Sequence, residues 1–166
     1  MSAGRGPGMP GDPVNAPVVL SSTFHQGGQV GYSRESNPTW EAFEEALGAL
    51  EGGEAVSFAS GMAAVAAVVE RVPVGGTLVL PGAAYSGTRS LATTLEQRGR
   101  LVARRVDVTD TAATLAACRG ADLLWLESPT NPLLGVADLA ALCAGARRQG
   151  VVAAADNTFA TPLLQR

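Results

Sequence analysis

An α/β fold with a mainly parallel sheet and helices on its faces is what this sequence predicts, on three grounds. Between residues 54 and 156, short apolar runs of strand length alternate with longer stretches whose apolar residues recur at helical spacing. Repeated β-α units of this kind lay successive strands parallel, because each helix returns the chain to the same end of the sheet. The apolar runs also stop at Pro, Ser, Asn or Asp, which gathers polar residues at strand C-terminal ends, the ligand side of open α/β sheets.

Residues 1–13 are rich in Gly, Pro and Ser without periodicity and read as a mobile arm. Residues 14–53 read as an N-terminal arm and first helix. Residues 14–31 set short apolar runs such as Val18-Val19-Leu20 among Ser, Thr and Gly, an extended segment with no strong sheet signal. Its lone His25 has no spaced Cys, Asp or Glu cluster to make it a ligand. Asn37 as N-cap and Pro38 at the first helical position start a helix with apolar face Trp40, Phe43, Leu47 and Leu50, stopped by Gly52-Gly53. Ahead of it, Tyr32 and Arg34 stand on an ordered turn. A hydroxyl and a planar guanidinium two positions apart can converge on one anion; the other reading is an exposed arginine on a polar loop.

Residues 54–166 hold the α/β domain. Glu54–Ala59 reads as a short strand and Ser60–Val69 as a buried helix that follows at once. Such a turn leaves backbone N–H groups free at the helix start, where the dipole favours an anion, so Ser60-Gly61-Met62 is a phosphate seat or simply a helix cap. It is neither the P-loop nor the dinucleotide glycine pattern. Thr77–Pro81 is a strand, and a helix then runs through Leu91 and Leu95 to Gly99. Between them Tyr85 lies past the strand end, where its face can stack on a planar cofactor or pack beneath the loop. Leu101–Ala103 with Val106 form another strand, and Asp110 or Thr111 caps a small helix.

Asp122–Glu127 is a strand that empties into Ser128-Pro129-Thr130-Asn131-Pro132, where two prolines are expected to hold the loop extended and give Asn131 a defined direction. Val136–Gln149 reads as a helix with Leu139, Leu142, Cys143 and Ala146 on its core face and Gly150 as its stop. Val151–Ala155 then reads as a buried parallel strand that delivers Asp156 to its C-terminal edge. A partly desolvated carboxylate is tolerated chiefly when a cation or several donors face it. The protonated ring nitrogen of pyridoxal phosphate is one such cation; a turn aspartate in Asp156-Asn157-Thr158 is the alternative.

Composition narrows the function classes. A chain of 166 residues suits one domain with a real core. With 46% hydrophobic and 16% charged residues and a net charge of −3, it is globular and offers no electrostatic reason to bind nucleic acid. No apolar run approaches the ~20 residues that span a bilayer, and no signal-peptide core is present. Cys118 and Cys143 lack metal-type spacing and a neighbouring base, so no metal site is expected, the thiols read as inert, and the location reads as cytoplasmic. All twelve basic residues are arginine. Any mechanism that requires a lysine amine, including the Schiff base of a pyridoxal phosphate enzyme, must take that amine from elsewhere.

As an ordered set, six segments resemble the Cys/Met metabolism family of pyridoxal phosphate enzymes, the cystathionine γ-synthase, cystathionine γ-lyase and methionine γ-lyase group, over Pro17 to Arg166. They are Leu20-Ser21-Ser22-Thr23-Phe24, Tyr32-Ser33-Arg34 with Asn37-Pro38-Thr39, Ser60-Gly61-Met62-Ala63-Ala64, Tyr85-Ser86-Gly87, Glu127 to Pro132, and Asp156-Asn157-Thr158-Phe159. The resemblance implies most of an aspartate aminotransferase-like, fold type I large domain, incomplete at the C-terminus. It implies cofactor contacts from Ser60, Gly61, Met62, Tyr85, Asn131, Asp156 and Thr158, with Gly61 and Met62 giving N–H groups to the phosphate. Tyr85 would stack on the ring and assist proton movements, Asp156 would keep the ring nitrogen protonated, and Asn131 would lie near the ring hydroxyl and substrate. Tyr85 and Asp156 are thus the expected catalytic residues. Tyr32 and Arg34 would reach the cofactor phosphate of a neighbouring subunit, which implies a homo- or hetero-oligomer.

The reaction so implied is β- or γ-elimination or replacement on a sulfur-containing or O-activated homoserine-type amino acid. Family members continue past the equivalent of Gln165-Arg166 to a Ser-x-Thr-Lys segment and a smaller C-terminal domain. The expectation is therefore a split enzyme whose second polypeptide supplies the lysine, with a non-catalytic binding or assembly module as the alternative. A nucleotide-binding doubly wound domain is disfavoured by the missing glycine fingerprint.

Overall fold

The computed structural model describes residue 5 and residues 8–165; residues 1–4, 6 and 7 of the expected arm, and Arg166, lie outside the described residues. The chain forms two compact units, one ending at Phe58 and one over Ala59–Gln165.

The first unit is organised by helix α1 (Pro38–Glu51). Asn37 caps it as the sequence predicts, accepting the Thr39 N–H at 2.9 Å, while Gly52 closes it in the left-handed region at φ 73°. The Asn37 amide also donates to the Val19 carbonyl and the Ser33 hydroxyl, so the cap ties the extended arm to the helix start. A single antiparallel bridge joins Thr23 to Tyr32. Two expectations fail here. Phe43 is exposed, and Gly48 is the buried residue of α1. The strand expected over Glu54–Ala59 does not form, because the Ser57 N–H and hydroxyl both donate to the Glu44 carboxylate at 2.6 Å, a side-chain partner in place of a sheet ladder.

The second unit contains α2 (Gly61–Val69), β1 (Gly76–Pro81), α3 (Ser86–Gln97), β2 (Leu101–Val106), α4 (Thr111–Ala117), β3 (Leu123–Glu127), α5 (Leu139–Arg148), β4 (Val152–Asp156) and α6 (Thr161–Leu164). The four strands are all parallel, in the order β2-β1-β3-β4. Alternating side chains of the central strands face two cores. Leu78, Leu80, Leu123 and Trp125 pack with Val65 and Val69 of α2 and Ala92 of α3, while Val79, Leu124 and Leu126 pack with Leu142 and Ala146 of α5 and with Cys118. Helices thus cover both sheet faces, as an α/β fold requires.

The details correct several expectations. Asp110, not Thr111, caps α4 by accepting the Ala113 N–H. Helix α5 begins at Leu139 rather than Val136, because the Asp138 carboxylate takes the Ala141 N–H and fixes the start there. Cys143 is exposed instead of core; the packed face of α5 is Leu142, Gly145 and Ala146, where Gly145 lets the backbone approach Leu115 so closely that a Cβ would lie 2.4 Å from it. Cys118 is buried, and burial pushes its thiol pKa up, in keeping with an inert sulfur. Helix α2 buries Val65 and Val69 but exposes Ala67, so it is a surface helix with one packed stripe. Strand β4 pairs in parallel as expected, yet it lies at one side of the four described strands with Val152 and Ala155 exposed.

Candidate functional site

Strand order places the site. The chain adds β2 on one side of β1, then crosses to add β3 on the other, so loops leaving β1 and β3 diverge at their C-terminal ends. A cavity of about 690 Å³ opens at that switch point. Seven residues expected from the sequence line it together: Ser60, Gly61, Met62, Tyr85, Asn131, Asp156 and Thr158. Tyr32 and Arg34 belong to the first unit, where Arg34 Nη2 donates to the Tyr32 hydroxyl at 2.6 Å and the guanidinium lies 4.9 Å from the ring centroid.

At the start of α2, the Ser60 hydroxyl accepts the Ala63 N–H at 3.2 Å and caps the helix. The N–H groups of Gly61 and Met62 find no acceptor among the described residues, so capping by Ser60 leaves both of them available to an anion. Tyr85 stands at the N-cap position of α3 without side-chain capping, its ring half-exposed on the cavity wall. Gly87 lets it sit there: a Cβ at residue 87 would lie 2.6 Å from Tyr85 Cε1 and 2.7 Å from Met62 Sδ.

The turn reading of Asp156 holds: its Oδ1 accepts the Thr158 N–H at 3.1 Å and the Thr158 hydroxyl at 2.5 Å, while Oδ2 has no partner among the described residues and the residue lines the cavity. The Thr158 hydroxyl is thereby committed to Asp156. The loop from Ser128 is a compact turn rather than extended: the Leu134 N–H donates to the Thr130 carbonyl, and the Gly135 N–H to the Thr130 hydroxyl. Asn131 still has a fixed direction, but its backbone N–H is held by Glu127 and not by the prolines alone.

Glu127 and Trp125 are two polar cavity residues that the sequence reading did not assign to the site. Glu127 is 4% exposed and pairs in register with Asp156. Burial pushes its carboxyl pKa up, as does neighbouring Asp156, against the N–H groups of Tyr85 and Asn131 and the positive field of Arg89. The same signal that singled out Asp156, a carboxylate at the end of an apolar run, was present at Leu123–Glu127. Trp125 lines the cavity too, and its buried Nε1–H has no acceptor among the described residues.

The family model described as Cys/Met metabolism PLP-dependent enzyme matches residues 3–166. The chain belongs to that family. It is 38% identical to a cystathionine β-lyase of Coxiella burnetii over 163 residues, covering 92% of this chain and 42% of that protein. It is 39% identical to a putative cystathionine γ-lyase of Streptomyces coelicolor, covering 93% and 42%. The solved structure of a cystathionine γ-lyase from Micromonospora echinospora superposes with a TM-score of 0.85 at 36% identity, covering 97% of this chain and 44% of that one. The chain therefore spans less than half the length of the relatives it matches, and its fold is part of the large domain of these PLP-dependent enzymes.

The residues present fit pyridoxal phosphate. Unpartnered N–H groups at the start of α2 suit a phosphate, the Tyr85 face suits a planar ring, Asp156 Oδ2 suits a protonated ring nitrogen, and buried Trp125 Nε1–H leaves a donor for a polar group. These 166 residues contain no lysine.

Proposed function

We propose that this chain is the cofactor-holding half of a pyridoxal phosphate enzyme that catalyses β- or γ-elimination or replacement on a sulfur-containing or O-activated homoserine-type amino acid in the cytoplasm. A second polypeptide supplies the lysine that holds the cofactor covalently. The observation that carries this reading is the convergence of the Gly61 and Met62 N–H groups, Tyr85, Asn131 and Asp156 on one cavity at the switch point of a chain with no lysine.

When bound, pyridoxal phosphate supplies an electron sink for bond breaking beside the substrate amino group. The chain's own residues bind and orient. Gly61 and Met62 hold the phosphate through their N–H groups, reinforced by the α2 dipole. Asp156 keeps a proton on the ring nitrogen through Oδ2, with Thr158 fixing the carboxylate plane through Oδ1. Tyr85 would stack on the ring, and its hydroxyl is the group available to move a proton near the substrate. Asn131, on the cavity wall, would offer its side-chain amide to the cofactor or the substrate. Val65, Trp125 and Ala154 give the cavity apolar walls that exclude water. Tyr32 and Arg34, already paired with each other, are assigned to the phosphate of a neighbouring subunit's cofactor.

A second reading is a non-catalytic assembly module, for which Val152, Phe159, Leu163 and Leu164, exposed on and after β4, would form the contact surface. Native mass spectrometry of the protein from its own source, with borohydride reduction and peptide mapping, separates the two. A reduced pyridoxal adduct on a lysine of a co-purifying chain is expected; a partner without any adduct would leave the assembly module, and neither would remove both.

A further inference from the structure

Glu127 has no part in the chemistry assigned above, yet it is the most buried charged residue described, 4% exposed on the cavity wall. A carboxylate withdrawn from water is costly unless strong donors meet it, so its partners show what it holds. They are not cations: the ion pairs among the described residues are Arg100–Glu70 and Arg105–Glu96, and Arg89 acts on Glu127 only through space. Instead Oε2 accepts the backbone N–H of Tyr85 at 2.8 Å and Oε1 accepts that of Asn131 at 2.6 Å. The two N–H groups lie on loops leaving different strands, β1 and β3, on either side of the switch point. An ionised carboxylate is acceptor-only with two oxygens, which matches two facing N–H donors as no other side chain of its length does.

We infer that Glu127 is the positioning residue of this site: anchored at the end of central strand β3, it fixes the backbone of the stacking tyrosine with one oxygen and the backbone of Asn131 with the other. The two side chains that face the planar ring then keep one spacing. The inference rests on the reading of the cavity as a pyridoxal phosphate site. Glutamine keeps the volume of Glu127 but offers one acceptor oxygen and an NH₂, so Glu127→Gln can satisfy one N–H and must present a donor to the other.

The wild-type chain tests the clamp with no substitution. The amide-proton shifts of Tyr85 and Asn131 should titrate together with the Glu127 carboxyl carbon, at a midpoint above the ordinary 4.5. Asp156 on β4 and Arg89 on α3 are the charged groups that face it, and Asp156→Asn identifies any share of the titration that belongs to Asp156. Independent titration of the two amides overturns the clamp. In Glu127→Gln, with far-UV circular dichroism unchanged, hydrogen exchange at Tyr85 or Asn131 without cofactor should quicken at least roughly tenfold, the loss of one charge-assisted bond. The induced circular dichroism of pyridoxal phosphate bound to the protein, with any co-purifying partner, should weaken in the same variant. Unchanged exchange, or a wild-type band in Glu127→Gln, overturns the positioning role alone. No bound pyridoxal phosphate in the wild type overturns the cofactor reading and the positioning role with it.

Discussion

Gly87→Ala separates the seating of Tyr85 from the stability of the fold. The added Cβ would lie 2.6 Å from Tyr85 Cε1 and 2.7 Å from Met62 Sδ, where ordinary contact begins at 3.4 Å, so they must retreat by about 0.8 and 0.7 Å. Both clashing atoms sit far out on side chains at a cavity wall, and residue 87 lies in the first turn of α3, where alanine is favoured over glycine by at most the roughly 0.5–1 kcal/mol of a helix interior. The helix gain offsets the cost of moving two side chains, and the melting temperature should stay within a few degrees of wild type. The cavity does not escape so lightly. A tyrosine turned from its place loses an aromatic stacking contribution of about 0.5–1.5 kcal/mol, which is a roughly 2- to 12-fold weaker affinity for pyridoxal phosphate. Thermal denaturation followed at 222 nm and titration by fluorescence quenching measure the two effects on one sample. A variant that binds the cofactor as wild type does, or one that loses ten degrees or more, would refute this account of Gly87.

Ser60→Ala removes the cap of α2 and should cost about 1 kcal/mol in urea-induced unfolding, with phosphate or pyridoxal phosphate recovering part of it by occupying the freed N–H groups. In the assembled enzyme, Asp156→Asn should keep the cofactor but lower turnover by roughly tenfold to a hundredfold, the worth of one charge-assisted hydrogen bond; full turnover would remove Asp156 from the mechanism. Glu127 predicts a pH dependence. Burial raises its folded pKa above the ordinary 4.5, so the folded state binds more protons than the unfolded, and the contribution is present below 4.5 and lost as pH rises through the raised value. Glutamine does not titrate. The melting temperature of Glu127→Gln minus that of wild type should therefore increase with pH across that window, and a flat difference would show that burial does not dominate.

Local residue chemistry was enough to place much of this molecule. Asn37-Pro38 and Gly52 start and stop α1, Gly150 ends α5, and the β-α alternation gives four parallel strands, because caps, stops and periodicity act within a few residues. The positions of Ser60-Gly61-Met62, Tyr85, Asn131 and Asp156 on one cavity could be anticipated for the same reason: each lies within a few residues of the end of an apolar run or opens a helix. Tertiary structure decided the rest. Leu123–Leu126 and Val151–Ala155 are both apolar runs that end in a carboxylate, and nothing within either says which becomes a central strand and which an edge. Strand order does, burying Glu127 on β3 and leaving Asp156 half-buried on β4. Desolvation thus falls chiefly on the residue the sequence did not single out. Ser57 shows the same limit, since a strand-like segment yields to one long-range carboxylate from Glu44. Chemistry at a strand end is written in neighbouring residues, whereas burial depends on which strands flank it, and that is set by packing between residues far apart in the chain.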